Sequence, residues 1–368
     1  MSAPPATLRE RTAEPAEAGD ISEAGWRLEV GLRNMSTSKM DKRAPMRVEI
    51  REFQPQDYER LVEISNRIEP EHRETVEEAR FDDEQFDRRG FLHRRYIACD
   101  PGTGAVVGVA EYNHRPWEFD PLHFSMWIGV LPERQRGGIG TALYDRLAAD
   151  FAKLGATAIR AGARENEGAA LAFLEHRGFR ELHRSWESLL DLTSFDPARS
   201  AEHADPPRGI EITTLAEELA KDPERLRAAH DFVNRVVPDA PSIDPPTPSP
   251  FESFRENVLG PWGLPEGYFL AKDGDTYVGQ SNLSRSGAMP EELYTRFTGV
   301  LREHRGRGIA MALKVRALTF AKERGYKRVR TSNSTLNTAM VGINMRLGFV
   351  KQPIWIVFGK DLGGGGAP

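Results

Sequence analysis

Two stretches of this chain combine glycine with arginine, joined in the first by glutamine, at a spacing suited to holding phosphate oxygens. The first is Val130-Leu-Pro-Glu-Arg-Gln-Arg-Gly-Gly-Ile-Gly140 and the second is Val300-Leu-Arg-Glu-His-Arg-Gly-Arg-Gly-Ile-Ala310. Each reads as a strand end, a short loop with Gly where a backbone must approach closely, and the start of a helix. The free N–H groups of a helix N-terminus attract anionic oxygen. Arg134, Gln135 and Arg136 beside the first loop, and Arg302, Arg305 and Arg307 beside the second, add donors and positive charge. A pyrophosphate is the natural guest. A P-loop is excluded, because neither copy has Lys after its last Gly. A dinucleotide loop of the Rossmann kind needs a further Gly where this chain has Leu143 and Met311, and no acidic ribose ligand stands at the required spacing. A plain strand–turn–helix corner uses Gly only for its backbone freedom. That reading leaves the basic residues, present in both copies, unexplained.

The elements that must position these loops are also duplicated. With a shift of 170 residues the two copies align without a gap from Val130 to Gly178-Phe179 and from Val300 to Gly348-Phe349. Ahead of the first loop, Met46 to Phe53 alternates as a strand, Pro55 opens a helix carrying Leu61 and Ile64, and Glu69 to Arg89 is helix-prone. Arg95–Cys99 and Ala105–Ala110 read as a hairpin, and His123–Val130 as the strand entering the loop. Leu143, Leu147 and Phe151 then mark a helix that stops at Gly155. A strand from Thr157, a helix from Ala169 and a closing strand Leu182–Leu192 complete the unit. After Pro- and Asp-containing residues 194–209 the pattern restarts, ending in the strand Ile354–Phe358. Pro238–Pro250 holds six prolines in thirteen residues and reads as an irregular loop. The expected fold is α/β, with a mixed, partly antiparallel sheet in each of two domains and helices on both faces.

The pattern Val-x-x-x-x-Gln/Arg-x-x-Gly-x-Gly/Ala at a strand–helix junction, followed by Asn and a helix ending in Gly-Phe, resembles the GNAT N-acetyltransferase superfamily. The resemblance covers the chain from about Met46 to Leu362. It implies two tandem GNAT domains, at 46–193 and 210–362, joined by a linker at 194–209. Residues 1–45 are expected to be a disordered extension and 363–368 a flexible tail. It implies acetyl-CoA as cosubstrate and no metal. The first copy would hold acetyl-CoA with Val130, Gln135, Arg136, Gly137, Gly138, Ile139, Gly140, Thr141 and, downstream, Asn166. The second would use Val300, Arg305, Gly306, Arg307, Gly308, Ile309 and Ala310, with Asn333 and Asn337. Ten Lys and Arg against two acidic residues between Arg302 and Arg330 suit a phosphate-bearing partner, although a solvated helix face accounts for about half of them.

Acetyl transfer to an amine needs a base, an oxyanion donor and an acid for the departing thiolate. Many GNAT enzymes supply the acid from a Tyr four residues before Gly-Phe. This chain has Leu174 and Asn344 there, so the amine itself, a water or another residue must serve. Asn344 remains a candidate for holding pantetheine or substrate. Tyr294 on the second entering strand, His123 on the first, and Glu111 acting through a water are the other catalytic candidates. Each also has an ordinary reading as packing or a solvated charge.

Three functions are open at this level. They are N-acetyltransfer to a small-molecule or peptide amine by direct transfer in a ternary complex, a non-catalytic acyl-CoA sensor, and one catalytic domain beside a structural one. The polar set favours the second copy as catalytic, and Pro238–Pro250 falls where the acceptor wall belongs. A net charge of −5 gives no reason to expect nucleic acid, and no run is apolar enough to span a membrane. The single Cys99, in an apolar run, excludes an internal disulfide. A cytoplasmic monomer or homodimer is expected.

Overall fold

The computed structural model describes residues 47–363. The extension expected at 1–45 and the tail expected at 363–368 therefore lie outside the described residues, apart from Gly363. In the N-terminal half the elements are β1 (Glu49–Glu52), α1 (Tyr58–Ile68), α2 (Val76–Arg88), β2 (His93–Cys99), β3 (Val106–Asn113), β4 (His123–Val130), α3 (Ile139–Leu154), β5 (Ala158–Arg164), α4 (Gly168–Glu175) and β6 (Arg180–Asp191). A short helix, α5 (Ala201–Ala204), lies in the connecting segment. The C-terminal half comprises β7 (Ile210–Thr214), α6 (Leu215–Lys221), α7 (Arg225–Val236), α8 (Phe251–Leu259), β8 (Tyr268–Asp273), β9 (Thr276–Arg285), β10 (Glu292–Val300), α9 (Ile309–Glu323), β11 (Arg328–Ser334), α10 (Thr338–Arg346), β12 (Val350–Lys351) and β13 (Trp355–Asp361). Among the described residues no helix is long and apolar enough to cross a membrane.

Local chemistry explains the element ends. Gly155, at φ 64°, closes α3, because a residue without Cβ reaches the left-handed region cheaply. Thr214 and Glu217 form a capping box that starts α6, a helix the apolar spacing does not reveal. Burial sorts the helices onto opposite faces. Leu61 and Ile64 of α1 pack on Ile97 and Val109. Leu143, Leu147 and Phe151 of α3 and Leu174 of α4 share the core on the other side with Phe124 and Ile159.

Among the described residues, thirteen strands join in one mixed sheet in the order β1-β2-β3-β4-β5-β13-β6-β11-β10-β9-β8-β7, with β12 beside β6. The two closing strands change places. Strand β13 of the C-terminal half inserts between β5 and β6, pairing Trp355 with Arg164 and Asp361 with Ala158. Strand β6 of the N-terminal half pairs with β11, from Asp191–Arg328 to Ser185–Ser334. Each half thus completes the other's sheet, and neither presents an open edge at the seam. A buried polar network ties that seam. Glu187 on β6 binds Arg164 at 3.3 Å and Arg330 at 3.2 Å, and pairs with His72 from the loop between α1 and α2. Arg330 continues to Glu292 at 2.6 Å.

One buried charge has no such partner. Lys314 of α9 is 2% exposed and packs over the Phe349 ring, with no carboxylate in ion-pair range among the described residues. Burial lowers its pKa from 10.5 to about 7. The folded-state value is depressed, so the unfolded chain holds the extra proton between those limits. Stability therefore rises with pH from about 7 to 10.5, and the penalty is constant below that window. Replacing the amine by an apolar side chain of similar length, Lys314→Met, is expected to raise Tm by roughly 5 °C at pH 6.5. The gain should shrink towards pH 10.5. A gain independent of pH in thermal melts would mean that the amine is paired in the folded protein.

Candidate active site

The site begins where two parallel strands part. Strand β10 pairs with β11 from Glu292–Arg328 to Thr295–Thr331, and beyond that point the strands diverge. A bulge between Thr295 and Phe297 leaves Arg296 out of the ladder with β9, and the Asn282 side chain accepts the Phe297 N–H at 2.9 Å. The edge of β10 that faces β11 from Phe297 to Val300 is left with backbone groups that need partners. Strands β4 and β5 part in the same way after Ser125 and Arg160. Strand β4, however, keeps an unbroken register with β3 from Asn113–Ser125 to Gly108–Val130, without a bulge.

Each parting strand runs into its glycine-bearing loop. The Gln/Arg position of the motif shapes that loop. Arg305 Nε donates to the Val300 carbonyl at 2.9 Å, and Gln135 Nε2 donates to the Val130 carbonyl at 3.1 Å. Both satisfy the last strand acceptor, which has no ladder partner. Gly138 and Gly308 each stand at φ 86°, with open space where a Cβ would point, directly before Ile139 and Ile309. Those isoleucines, each 1% exposed, anchor the first helical turn in the core. The first-turn N–H groups of α3 and α9 are left facing outward. Two positions earlier the copies differ: Gly306 has φ 74°, whereas Arg136 holds φ 63°, the one non-glycine in that region among the described residues.

In the C-terminal half these pieces enclose a cavity of about 720 Å³. Gly308, Ala310 and Met311 line it beside α9, and Asn337, Met340, Ile343 and Arg346 beside α10. Phe297 and Gly299 belong to the parting strand, while Val236, Asp239 and Pro241 stand across from them. The cavity reaches both faces of the sheet. A Cβ on Gly299 would touch Val236, whereas one on Gly279 of the adjacent strand would touch Ile309 and Leu313 of α9. A ligand lying on the α9 N-terminus can therefore present its far end through the split to the α7 face.

The N-terminal copy is filled where its twin is open. Phe173 stands at the position of Ile343, and its ring lies 3.4 Å from where a Cβ on Gly140 would be. Arg177 stacks on that ring at 3.6 Å and donates to Thr141 Oγ1 at 2.8 Å. On the other face the copies are alike in one respect, since the Trp127 ring covers Gly129 as the Phe297 ring covers Gly299, but only Trp127 also donates to a carboxylate, Glu69, through Nε1 at 3.1 Å.

The candidate catalytic residues do not converge. Tyr294 still lies within the paired part of β10, opposite Arg330, with its hydroxyl 4.0 Å from Met289 Sδ. Burial, with Glu292 nearby, pushes its pKa up to about 12. It is a neutral phenol at physiological pH. His123 sits at the closed start of β4, opposite Ala158, before the split begins. Burial pushes the Glu111 carboxyl up, but Arg95 and His93 outweigh it and bring its pKa to about 2. Held by Arg95 Nε at 2.5 Å, Glu111 is a weak base. Asn344 is buried and donates to Asn333 Oδ1 at 2.6 Å, leaving its own Oδ1 without a partner. Asn337 caps α10 by accepting the Met340 N–H at 3.2 Å and also lines the cavity. Asn166 is exposed and precedes Glu167, the residue that occupies the same capping position in the first copy.

Asp239 was not singled out by its sequence context, and it is central. It binds Arg302 Nε at 2.7 Å and Arg305 at 2.6 Å, which holds its carboxyl below the usual range. Most of the basic residues between Arg302 and Arg330 are likewise committed elsewhere. Arg328 and Arg330 pair with Glu292, while Arg316 and Lys322 donate to the linker carbonyls of Ala204 and Phe195. Arg346 and His203 stand at the cavity rim.

A sheet that splits beside a glycine-flanked helix N-terminus, built twice in one chain, defines an acyltransferase of tandem architecture. The acetyltransferase (GNAT) family matches this chain at residues 58–179 and again at 234–349, and the chain belongs to that family. Mycothiol acetyltransferase of Catenulispora acidiphila is 26% identical over 237 residues, covering 63% of this chain and 70% of that protein. The protein of the same name from Thermobispora bispora is 27% identical over 60% of this chain and 71% of its own length. Among solved structures, a GCN5-related N-acetyltransferase from Sphaerobacter thermophilus superposes with a TM-score of 0.67 at 21% identity, covering 87% of this chain and 97% of that one. A tandem GNAT protein from the clavulanic acid biosynthesis pathway gives 0.65 at 19% identity, covering 86% and 99%.

The contrast between the copies makes a binding prediction. Gly308→Glu introduces a Cβ at φ 86° and a negative charge at the helix N-terminus. It is expected to abolish acetyl-CoA binding in calorimetry, whereas Gly138→Glu should leave a single site of nearly unchanged affinity. Two sites in the wild type, one lost in each variant, would contradict the filled state of the first copy.

Proposed function

We propose that the C-terminal half carries out N-acetylation of a primary amine on a small molecule or peptide, by direct transfer in a ternary complex, with acetyl-CoA as donor. The continuous cavity through the split between β10 and β11 is the observation that carries this reading. The residues present suit the donor. First-turn N–H groups of α9 beyond Gly308 offer themselves to the pyrophosphate, and the free edge of β10 from Phe297 to Val300 suits the amides of the pantetheine arm. Arg346 and His203 at the rim are placed for the nucleotide phosphate. When bound, acetyl-CoA supplies an activated acetyl thioester, whose C–S bond breaks as the amine nitrogen forms the new N–C bond.

Val236, Pro241 and Phe297 give the cavity an apolar wall on that side. Asn344 and Asn333 brace α10 against β11. No phenol occupies position 344, so the proton lost by the attacking amine reaches the departing sulfur directly or through a water. Asp239 is engaged by two guanidiniums and acts in shape rather than as a base. The relatives named for mycothiol support a small-molecule acceptor, and the filled first copy supports one donor site per chain.

The decisive measurement is thiol release from acetyl-CoA in a panel of amines that spans amino sugars, polyamines, amino acids and peptide N-termini. At least one amine should raise CoA release about a hundredfold or more over hydrolysis, the scale that positioning and proton transfer supply. Gly308→Glu should remove that release. Tight acetyl-CoA binding with no amine-dependent release would sink the enzymatic reading in favour of a sensor.

A further inference from the structure

The Pro-rich segment between α7 and α8 contributes Asp239, Ala240 and Pro241 to the cavity wall. From the next residue, Ser242, onward it is held by the other half. Asp244 accepts from Arg115 Nη1 at 3.3 Å and from Arg160 Nη2 at 3.2 Å. Glu118 accepts from the Ile243 N–H at 3.3 Å and from the Ser242 hydroxyl. The Thr247 N–H donates to the Trp117 carbonyl at 2.9 Å, and Thr247 Oγ1 accepts the Phe119 N–H at 2.8 Å. At the segment's end the Ser249 N–H donates to Asn234 Oδ1 of α7 at 2.9 Å.

These contacts are more than incidental surface pairing. Arg115, Glu118 and Arg160 are 7%, 6% and 8% exposed, and a buried guanidinium that loses its carboxylate is strongly unfavourable. Arg160 runs beside Gly359 of the exchanged strand β13, where a Cβ would stand 3.1 Å from its Nη1. The strand exchange therefore leaves room for the arginine that reaches into the other half. Arg330, which occupies the matching place in the second copy, spends its charge on Glu187 and Glu292 instead.

We propose that residues 237–249 form a strap whose anchoring by Arg115, Glu118 and Arg160 of the N-terminal half positions Asp239, and through Arg305 the donor loop, of the C-terminal site. These three side chains are positioning residues for a reaction carried out in the other half. Only four residues lie between Asp239 and Asp244, and Asp239 holds the guanidinium that closes the loop onto the Val300 carbonyl. Loosening the anchor frees that guanidinium and blurs the site. The inference rests on the assignment of the donor to the C-terminal half.

The test compares acetyl-CoA affinity by calorimetry with deuterium exchange of residues 238–249 in the full chain. Asp244→Ala is expected to increase exchange in that segment and to weaken acetyl-CoA binding roughly fivefold or more, the lower end of coupling between linked sites. Asp244→Glu should restore most of the affinity, which general destabilisation would not. If the alanine variant misfolds, the pair Arg160→Met with Asp244→Leu removes both charges without leaving a buried guanidinium alone, and the same loss of affinity is expected. Affinity within twofold of wild type in either folded variant, with exchange raised, overturns the coupling. Unchanged exchange overturns the anchoring. Gly308→Glu in parallel separates the two levels: if that variant still binds acetyl-CoA, the donor assignment fails. If it does not bind while the strap variants bind normally, only the strap inference fails.

Discussion

The site exists because the pairing of β10 with β11 stops after Thr295 and Thr331. Continued pairing would satisfy every backbone group of β10 and close the sheet to any ligand. The bulge at Arg296 and the Asn282 side chain on the Phe297 N–H let the strand turn away without a buried orphan donor. Beyond the split, the strand must end against a helix whose first turn has free N–H groups, and Gly308 supplies the left-handed backbone that allows so abrupt a junction. Asp239 offsets one of the two charges of Arg302 and Arg305, so the loop keeps a net positive charge beside the helix N-terminus.

That local geometry is held by an arrangement that belongs to the chain as a whole. Because β13 and β6 are exchanged, the two sheets are one object and the two helical faces meet over the seam. The network of Arg164, Glu187, Arg330, Glu292 and His72 sits under that meeting. Replacing a buried set of this kind by apolar residues often leaves stability equal or better, so what the network adds is directional pairing across the seam rather than net stability. The alignment of the halves matters because the Pro-rich segment that lines the C-terminal cavity is bonded to the other half.

Much of this was legible in the sequence, and the reasons differ by feature. The repeat, the two motif loops and the helix stop at Gly155 follow from residue types with narrow backbone options. The split is foreseeable only through family resemblance, since no residue type marks where two parallel strands separate. The strand exchange leaves no trace at all. A period of two buries one face of β6 or β13 equally well beside either β5 or β11. Helices α6 and α8 are too short for apolar periodicity to declare them. Glu111 looked like a free carboxylate because its partners, Arg95 and His93, lie on the neighbouring strand and become adjacent only through sheet register. Asp239 and Asp244 lie in a proline-rich loop with no sequence signature of their own. Their meaning depends on arginines that are distant in sequence.

The two copies also show why an intact motif does not establish a working site. The motif residues in both loops do the same structural work: Gln135 and Arg305 tie down the same carbonyl, and Gly138 and Gly308 share one φ of 86°. Whether the groove beside the loop is open is decided outside the motif. In the first copy Phe173 on α4, with Arg177 just beyond that helix stacked on it and bonded to Thr141, covers the start of α3, where the second copy has Ile343 and an open cavity. A loop can keep its shape because the fold around it requires that corner, while the adjoining surface changes freely. The first half retains such a loop as part of its architecture, and its arginines at 115 and 160 are turned towards the other half's cleft rather than its own.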